Sequence, residues 1–163
     1  MRIRGLNWLF WGGIAATFLF QLAPLPAVLL AFKPYWPALF LLYWALEAGD
    51  QRVSLGLAFC IGLCADLLDG VLLGEQAMRL CALVFIALRF RSRLRFFPMW
   101  QQTLAVFALL LNDRVVYLMV HAIAGDPPPP PDFWLAPVAG MLAWPWLFLL
   151  FDDLRARLRA GDA

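Results

Sequence analysis

The chain has 163 residues, 64% of them apolar and only 15% charged, with a formal net charge of +2 and a mean hydropathy of +0.77. Soluble domains average about 45–50% apolar and about 25% charged residues, and one of this size buries only about 68–70% of the surface its unfolded chain exposes. The excess must face lipid, which excludes a soluble enzyme, a disordered tail and a secreted disulfide scaffold and leaves one all-α transmembrane domain over residues 1–163.

A spanning helix needs about 20 mostly apolar residues. Three uncharged runs reach that range: Gly5–Phe32, Phe96–Asn112 and Phe133–Phe151. Pro34–Leu46 and Val53–Ala65 are shorter. The pattern predicts six helices. The first covers Leu6–Leu22 and ends at the Pro24/Pro26 pair; it reads as an uncleaved span, since the run is too long for a signal-peptide core. The second covers Tyr35–Ala48, with Ala27–Phe32 as an added turn or re-entrant piece. The third is Val53–Leu68, the fourth Gln76–Phe90, the fifth Met99–Ala124 and the sixth Phe133–Leu150. A five-helix count, with the second segment only dipping into the bilayer, is the alternative.

Basic residues set the orientation. Arg2 and Arg4 precede the first helix, Arg89, Arg91, Arg93 and Arg95 fall between the fourth and fifth, and Arg155, Arg157 and Arg159 follow the sixth. Six spans with both termini cytoplasmic place all nine inside. They put the acidic loop Gly125–Asp132 outside, where Pro127–Pro131 should form a stiff polyproline II spacer. Cys60, Cys64 and Cys81 sit in apolar runs and make no disulfide framework. The arginine loop is ordinary positive-inside bias, so no nucleic-acid partner is expected; contact with anionic lipid headgroups is an alternative for the same loop.

Ionisable groups at membrane depth cost a few kcal/mol or more, which makes each one a candidate site. Asp66 and Asp69, followed by Gly70, lie one turn apart at the outer end of the third helix and share a face. They can handle protons or coordinate a ligand; the plainer reading has them capping a helix end and pairing with Arg79. Two small-residue rows run along the same helix, Ala58–Gly62–Asp66 and Gly56–Cys60–Cys64, and either lets a neighbouring helix come close. Asp113 and Arg114 point about 100° apart on the fifth helix, so each needs a partner on another helix. His121 is the only histidine, too few for a zinc site, which takes three or four ligands.

No catalytic set can be assembled. Asp66-x-x-Asp69-Gly70 opens the motif of the CDP-alcohol phosphotransferases, but its continuation falls on Leu73, Gly74, Leu83, Ala87 and Arg91, so the second carboxylate pair of a two-metal clamp is missing. Gly-x-Ser-x-Gly and phosphate-loop motifs are absent as well. Neither an enzyme nor a cofactor or metal is expected.

Several strings together resemble the rod shape-determining protein MreD family. They are Lys33-Pro34-Tyr35-Trp36 running into Leu41-Leu42-Tyr43-Trp44; Gly62 through Gly70, with Gly74 after it; Trp100-Gln101-Gln102; and Trp144-Pro145-Trp146-Leu147-Phe148-Leu149-Leu150. Asp69 and the five-proline loop depart from the family pattern. The resemblance implies a non-enzymatic scaffold of the inner membrane, part of the complex that elongates rod-shaped bacteria and governs peptidoglycan synthesis. Its implied partner is an MreC-like bitopic protein, and through it MreB filaments, a RodA-type glycosyltransferase and the elongation transpeptidase. The family is also thought to look like the substrate-binding subunits of ECF-type vitamin importers, and this implies the rival function of a small-molecule-binding or transport subunit. A polar cavity near Asp66, Asp69 and Arg79 would favour that rival; a filled bundle would disfavour it.

Overall fold

The computed structural model describes residues 2–47 and 53–161, and of residues 2–4 and 161 the backbone alone. The end of the second predicted helix at Ala48, and the side chains of Arg2 and Arg4, lie outside what is described. Among the described residues every regular element is helical: α1 (Arg2–Leu22), α2 (Ala27–Leu30), α3 (Trp36–Leu46), α4 (Leu55–Asp69), α5 (Glu75–Leu94), α6 (Met99–Ala124) and α7 (Leu135–Gly161), with a 3-10 turn at Pro131–Trp134. The expected all-α class holds, and α6 has the predicted bounds.

Two boundaries need correction. The helix α5 runs past Phe90 to Leu94, so Arg91 and Arg93 are helical as Arg89 is, and the link to α6 is only residues 95–98. The helix α7 continues to Gly161, so Arg155, Arg157 and Arg159 belong to it and not to a tail. Both extensions are amphipathic continuations past the apolar run, where hydropathy stops but helix propensity does not. The Ala27–Phe32 piece appears as the single turn α2.

The distribution of side chains is inside out. Trp8, Val28, Leu67, Phe96, Ile123 and Trp146 point outward, Ile123 at 87% exposure. Asp66, Glu75, Gln76, Arg79, Gln102 and Asp113 are buried. Water would reverse this arrangement, and lipid stabilises it. Two helical stretches among the described residues, Met99–Ala124 and Pro131–Ala160, are individually long and apolar enough to cross a membrane.

The short α3 is the axis of the bundle. Its 11 residues rise only about 16 Å, half the hydrocarbon thickness. Every residue from Pro37 to Leu46 is buried, against α1, α5 and α7. A helix encased in this way sees no lipid and has no need to match its thickness. Aromatic edges fill the space around it: Phe10 meets Trp44 at 5.1 Å, and Tyr43 stacks on Phe151 at 5.0 Å. At the end that holds the N-terminus of α1, Arg155 is buried, pairs with Glu47 and donates to the Tyr43 hydroxyl at 3.3 Å. The arginine read as one of a cytoplasmic cluster therefore ties α7 to α3.

The tightest joint is between α4 and α5. A Cβ built on Gly62 would lie 2.3 Å from the Ala77 Cα, which is backbone and cannot yield. The Ala58–Gly62–Asp66 row faces inward, while Gly56, Cys60 and Cys64 remain exposed. Gly62→Val should force the two helices apart and lower stability by about 1–3 kcal/mol or more, the usual cost of overpacking. Gly12→Ala, with nothing within 4 Å of the new Cβ, should be neutral or slightly stabilising. Thermal unfolding in detergent compares the two.

Candidate functional site

The candidate residues converge at the end of the bundle opposite the N-terminus of α1. The chain leaves α4 through Gly70 (φ 65°) and enters α5 from Gly74 (φ 97°), both left-handed positions that favour glycine. This tight return puts Asp66 under the start of α5. Its carboxylate accepts from the Gly74 N–H at 2.7 Å and the Gln76 N–H at 2.8 Å. A buried anion there satisfies two otherwise unpaired donors and complements the helix dipole. The capping reading of Asp66 holds, although the helix it caps is α5 and not its own.

The expected pairing of Asp66 and Asp69 with Arg79 is not what forms. Asp69 is exposed and accepts from Gln76 Nε2 at 2.8 Å and Gln21 Nε2 at 3.4 Å. Arg79 reaches across to α6. Its Nε and Nη2 donate to the two Asp113 oxygens at 3.0 and 2.6 Å, and its Nη1 donates to Glu75 at 3.3 Å. Asp69 loses the competition because Asp113 offers a two-pronged, fully buried match to the guanidinium fork. Tyr35 and Tyr117 face the same guanidinium, with its carbon 4.9 and 5.2 Å from their ring centroids. The Tyr35 hydroxyl donates to Gln76 Oε1 at 2.8 Å, which ties the entry of α3 into the network.

Asp113 and Arg114 do part company, as their helical angle requires. Asp113 turns inward to Arg79, and Arg114 lies over the Phe133 ring with its guanidinium carbon 4.4 Å from the centroid. Among the described residues no carboxylate comes within ion-pair range of Arg114. His121 stacks on Tyr117 at 3.8 Å, and its Nε2 is 3.8 Å from both Glu75 and Asp126. Sequence reasoning missed Glu75, Gln76 and Tyr35. Glu75 and Arg79, one turn apart in the first turns of α5, were the available signal.

These groups frame a cavity of about 440 Å³. Lys33, Arg79 and Arg114 contribute cations, and Asp69, Glu75 and Asp132 contribute carboxylates. Tyr35, Tyr117, Phe133 and Ala136 give it apolar walls. Pro129 and Pro130 form part of the rim, so the proline loop folds against the cavity and is more than a spacer. Pro130 has polyproline II angles (φ −64°, ψ 160°), and Pro131 then opens the 3-10 turn. No group of three or more metal-ligating side chains occurs among the described residues.

A polar core with a lipid-facing shell defines a helical membrane protein whose distinctive residues are internal. The family model for rod shape-determining protein MreD matches residues 2–154. The chain is 33% identical over 143 residues to the rod shape-determining protein MreD of Haemophilus influenzae, covering 88% of each chain. It belongs to the MreD family. No solved structure matches it.

Asp113→Ala should be the most damaging single change, because it leaves Arg79 buried with only Glu75 beside it. Removing one partner of a buried pair costs about 3–5 kcal/mol. The double variant Asp113→Ala, Arg79→Leu should recover part of that loss. Unfolding in detergent, analysed as a double-mutant cycle, measures both.

Proposed function

We propose that this protein is a multi-pass scaffold of the bacterial inner membrane that acts in rod-shape determination by holding the elongation machinery together, without chemistry of its own. Membership of the MreD family over nearly the whole chain carries the reading. The geometry supports it. Tyr35, Asp66, Gln76, Arg79 and Asp113 are consumed in tying α3, α4, α5 and α6 to one another, and the described residues form no nucleophile–base pair. A bundle with so little mass outside its helices acts on partners through its lateral surface.

On this reading α1, α3, α4, α5, α6 and α7 are six spans with both termini cytoplasmic. Arg89, Arg91 and Arg93 at the close of α5 and Arg155, Arg157 and Arg159 of α7 lie at one end, and Asp69, Asp126 and Asp132 at the other. The partner is an MreC-like bitopic protein, and its single span packs against α4. The buried row of that helix is already filled by α5. The exposed row Gly56–Cys60–Cys64 offers the close approach that helices in lipid use. Through this partner the scaffold connects with MreB filaments, a RodA-type glycosyltransferase and the elongation transpeptidase, and so regulates peptidoglycan synthesis.

The second reading, a small-molecule-binding or transport subunit of ECF type, draws on one observation, the cavity of about 440 Å³ bordered by Asp69 and Arg79. Depletion separates the two. Loss of a scaffold should round the cells, with the MreC-like protein and the elongation synthases recovered in mild detergent; normal rods with a co-purifying ATPase module would establish the subunit instead. The docking face has its own test. Cys60 and Cys64 should cross-link to cysteines placed along the partner's span. Cross-links confined to the apolar groove of Met99, Trp100, Leu104 and Met141 would move the interface to α6 and α7. Topology is checked by labelling a cysteine substituted at Asp126, which should react from outside intact cells.

A further inference from the structure

Among the described residues Arg114 is the most enclosed arginine of this end that no carboxylate meets within ion-pair distance. Arg79, one cavity wall away, has two carboxylates. Arg114 lies on the face of Phe133, and among the described residues no carboxylate comes within ion-pair distance of it. A half-buried guanidinium is costly to leave without a counter-charge. Its planar fork matches the oxygens of a phosphate, and it borders the cavity of about 440 Å³, a size that suits a small ligand.

The other walls narrow the choice. Lys33 stands on the same cavity, its ammonium held by the Gln21 carbonyl. Asp69 and Asp132 also border it, and both are exposed. A purely anionic ligand would be attracted to Arg114 and repelled by these two carboxylates. A ligand with both a phosphodiester and an amine satisfies both sets. Leu30 and Val71 border the cavity and are themselves exposed, Leu30 at 51%. The polar lining is thus joined by exposed apolar side chains against which acyl chains can lie.

We propose that this cavity binds a zwitterionic phosphodiester–amine group of the phosphoethanolamine type, with the phosphate on Arg114 and the amine on Asp69 and Asp132. The site rests on the cavity itself and is independent of whether the protein is a scaffold or a transport subunit. The same chemistry is present in a phosphatidylethanolamine headgroup and in free glycerophosphoethanolamine.

The test is native mass spectrometry of the full chain in detergent, titrated with phosphatidylethanolamine, phosphatidylglycerol and glycerophosphoethanolamine. Phosphatidylethanolamine should bind several-fold better than phosphatidylglycerol. Arg114→Gln should weaken that binding roughly tenfold, as expected for loss of a charge-assisted contact. Asp132→Asn should bring the two lipids toward equality. Arg157→Gln, in an exposed pair with Asp153, should bind as the unchanged protein does. Binding of glycerophosphoethanolamine with the same dependence on Arg114, and no binding of intact lipid, would support the site and identify its ligand as soluble. Detectable but equal binding of the two lipids by the unchanged protein, no binding of any probe, or an Arg114→Gln variant that binds normally would each overturn the proposal. Should Arg114→Gln fail to fold, Arg114→Lys keeps the charge without the fork and should show an intermediate loss, and the lipid preference of the unchanged protein is decisive without any variant.

Discussion

The buried ion pair between Arg79 and Asp113 is the contact on which the rest of the arrangement depends. It joins α5 to α6 by two parallel hydrogen bonds at 3.0 and 2.6 Å. In a low-dielectric interior such a pair contributes little net stability, since desolvation offsets much of the attraction. Its effect is on specificity. A helix of mostly Leu, Val and Ala can slide or rotate against its neighbours at small cost in lipid, because lipid tails are as apolar as the helices themselves. A guanidinium that must find its carboxylate cannot. Once Arg79 is fixed, Glu75 one turn below it is fixed, and Tyr35 and Tyr117 are held against the same cation. Entry to α3, the start of α5 and the middle of α6 are then set in one register.

The close approach at Gly62 works with that pair. With Ala77 in contact, α5 lies near enough to α4 for Asp66 to reach its first N–H groups. The return through Gly70 and Gly74 is short for the same reason. The geometry is local: a small residue, a carboxylate one turn later, and two glycines beyond it. At the opposite end Arg155 and Glu47 perform a similar task for α7 and α3. Polar ties therefore hold both ends of the bundle, and aromatic packing around α3 fills the space between.

Much of this was legible in the sequence. The inside-out composition gave the all-helical membrane class, and α6 was readable to the residue because proline precedes it and Gly125 follows it. Boundaries failed where charge and helix coexist. Arg91 and Arg93 fall past the predicted helix end because hydropathy measures lipid preference, and a helix that leaves the bilayer keeps its hydrogen bonds. The need for partners at Asp66, Asp113 and Arg114 was also legible, since the cost of an unpaired charge depends only on its surroundings. Which partner each takes was not. Arg79 is near Asp69 in sequence, yet it joins Asp113, 34 positions away. Such a choice depends on the crossing of helices, to which one-dimensional spacing is blind. The cavity was invisible for the same reason: Lys33, Glu75, Arg114 and Asp132 come from four separate stretches of chain.

The two arginines near this end show how the protein divides its polar groups. Both are expensive in an apolar setting, and both are held against aromatic rings. Arg79 is compensated twice over from within and belongs to the architecture. Arg114, 35 positions later, is only half buried and stands at the edge of the polar chamber, stacked on a ring from the 3-10 turn that follows the proline loop. If Arg114 were needed only to pair helices, a carboxylate across the gap would be the simple solution, as it is for Arg79. Asp132 is adjacent in sequence to Phe133 and borders the same cavity, yet the pair does not form. Opposite charges kept apart around a common space leave each free to meet something that enters it. A bundle tied internally by one matched arginine can therefore present a second, unmatched one without losing its register.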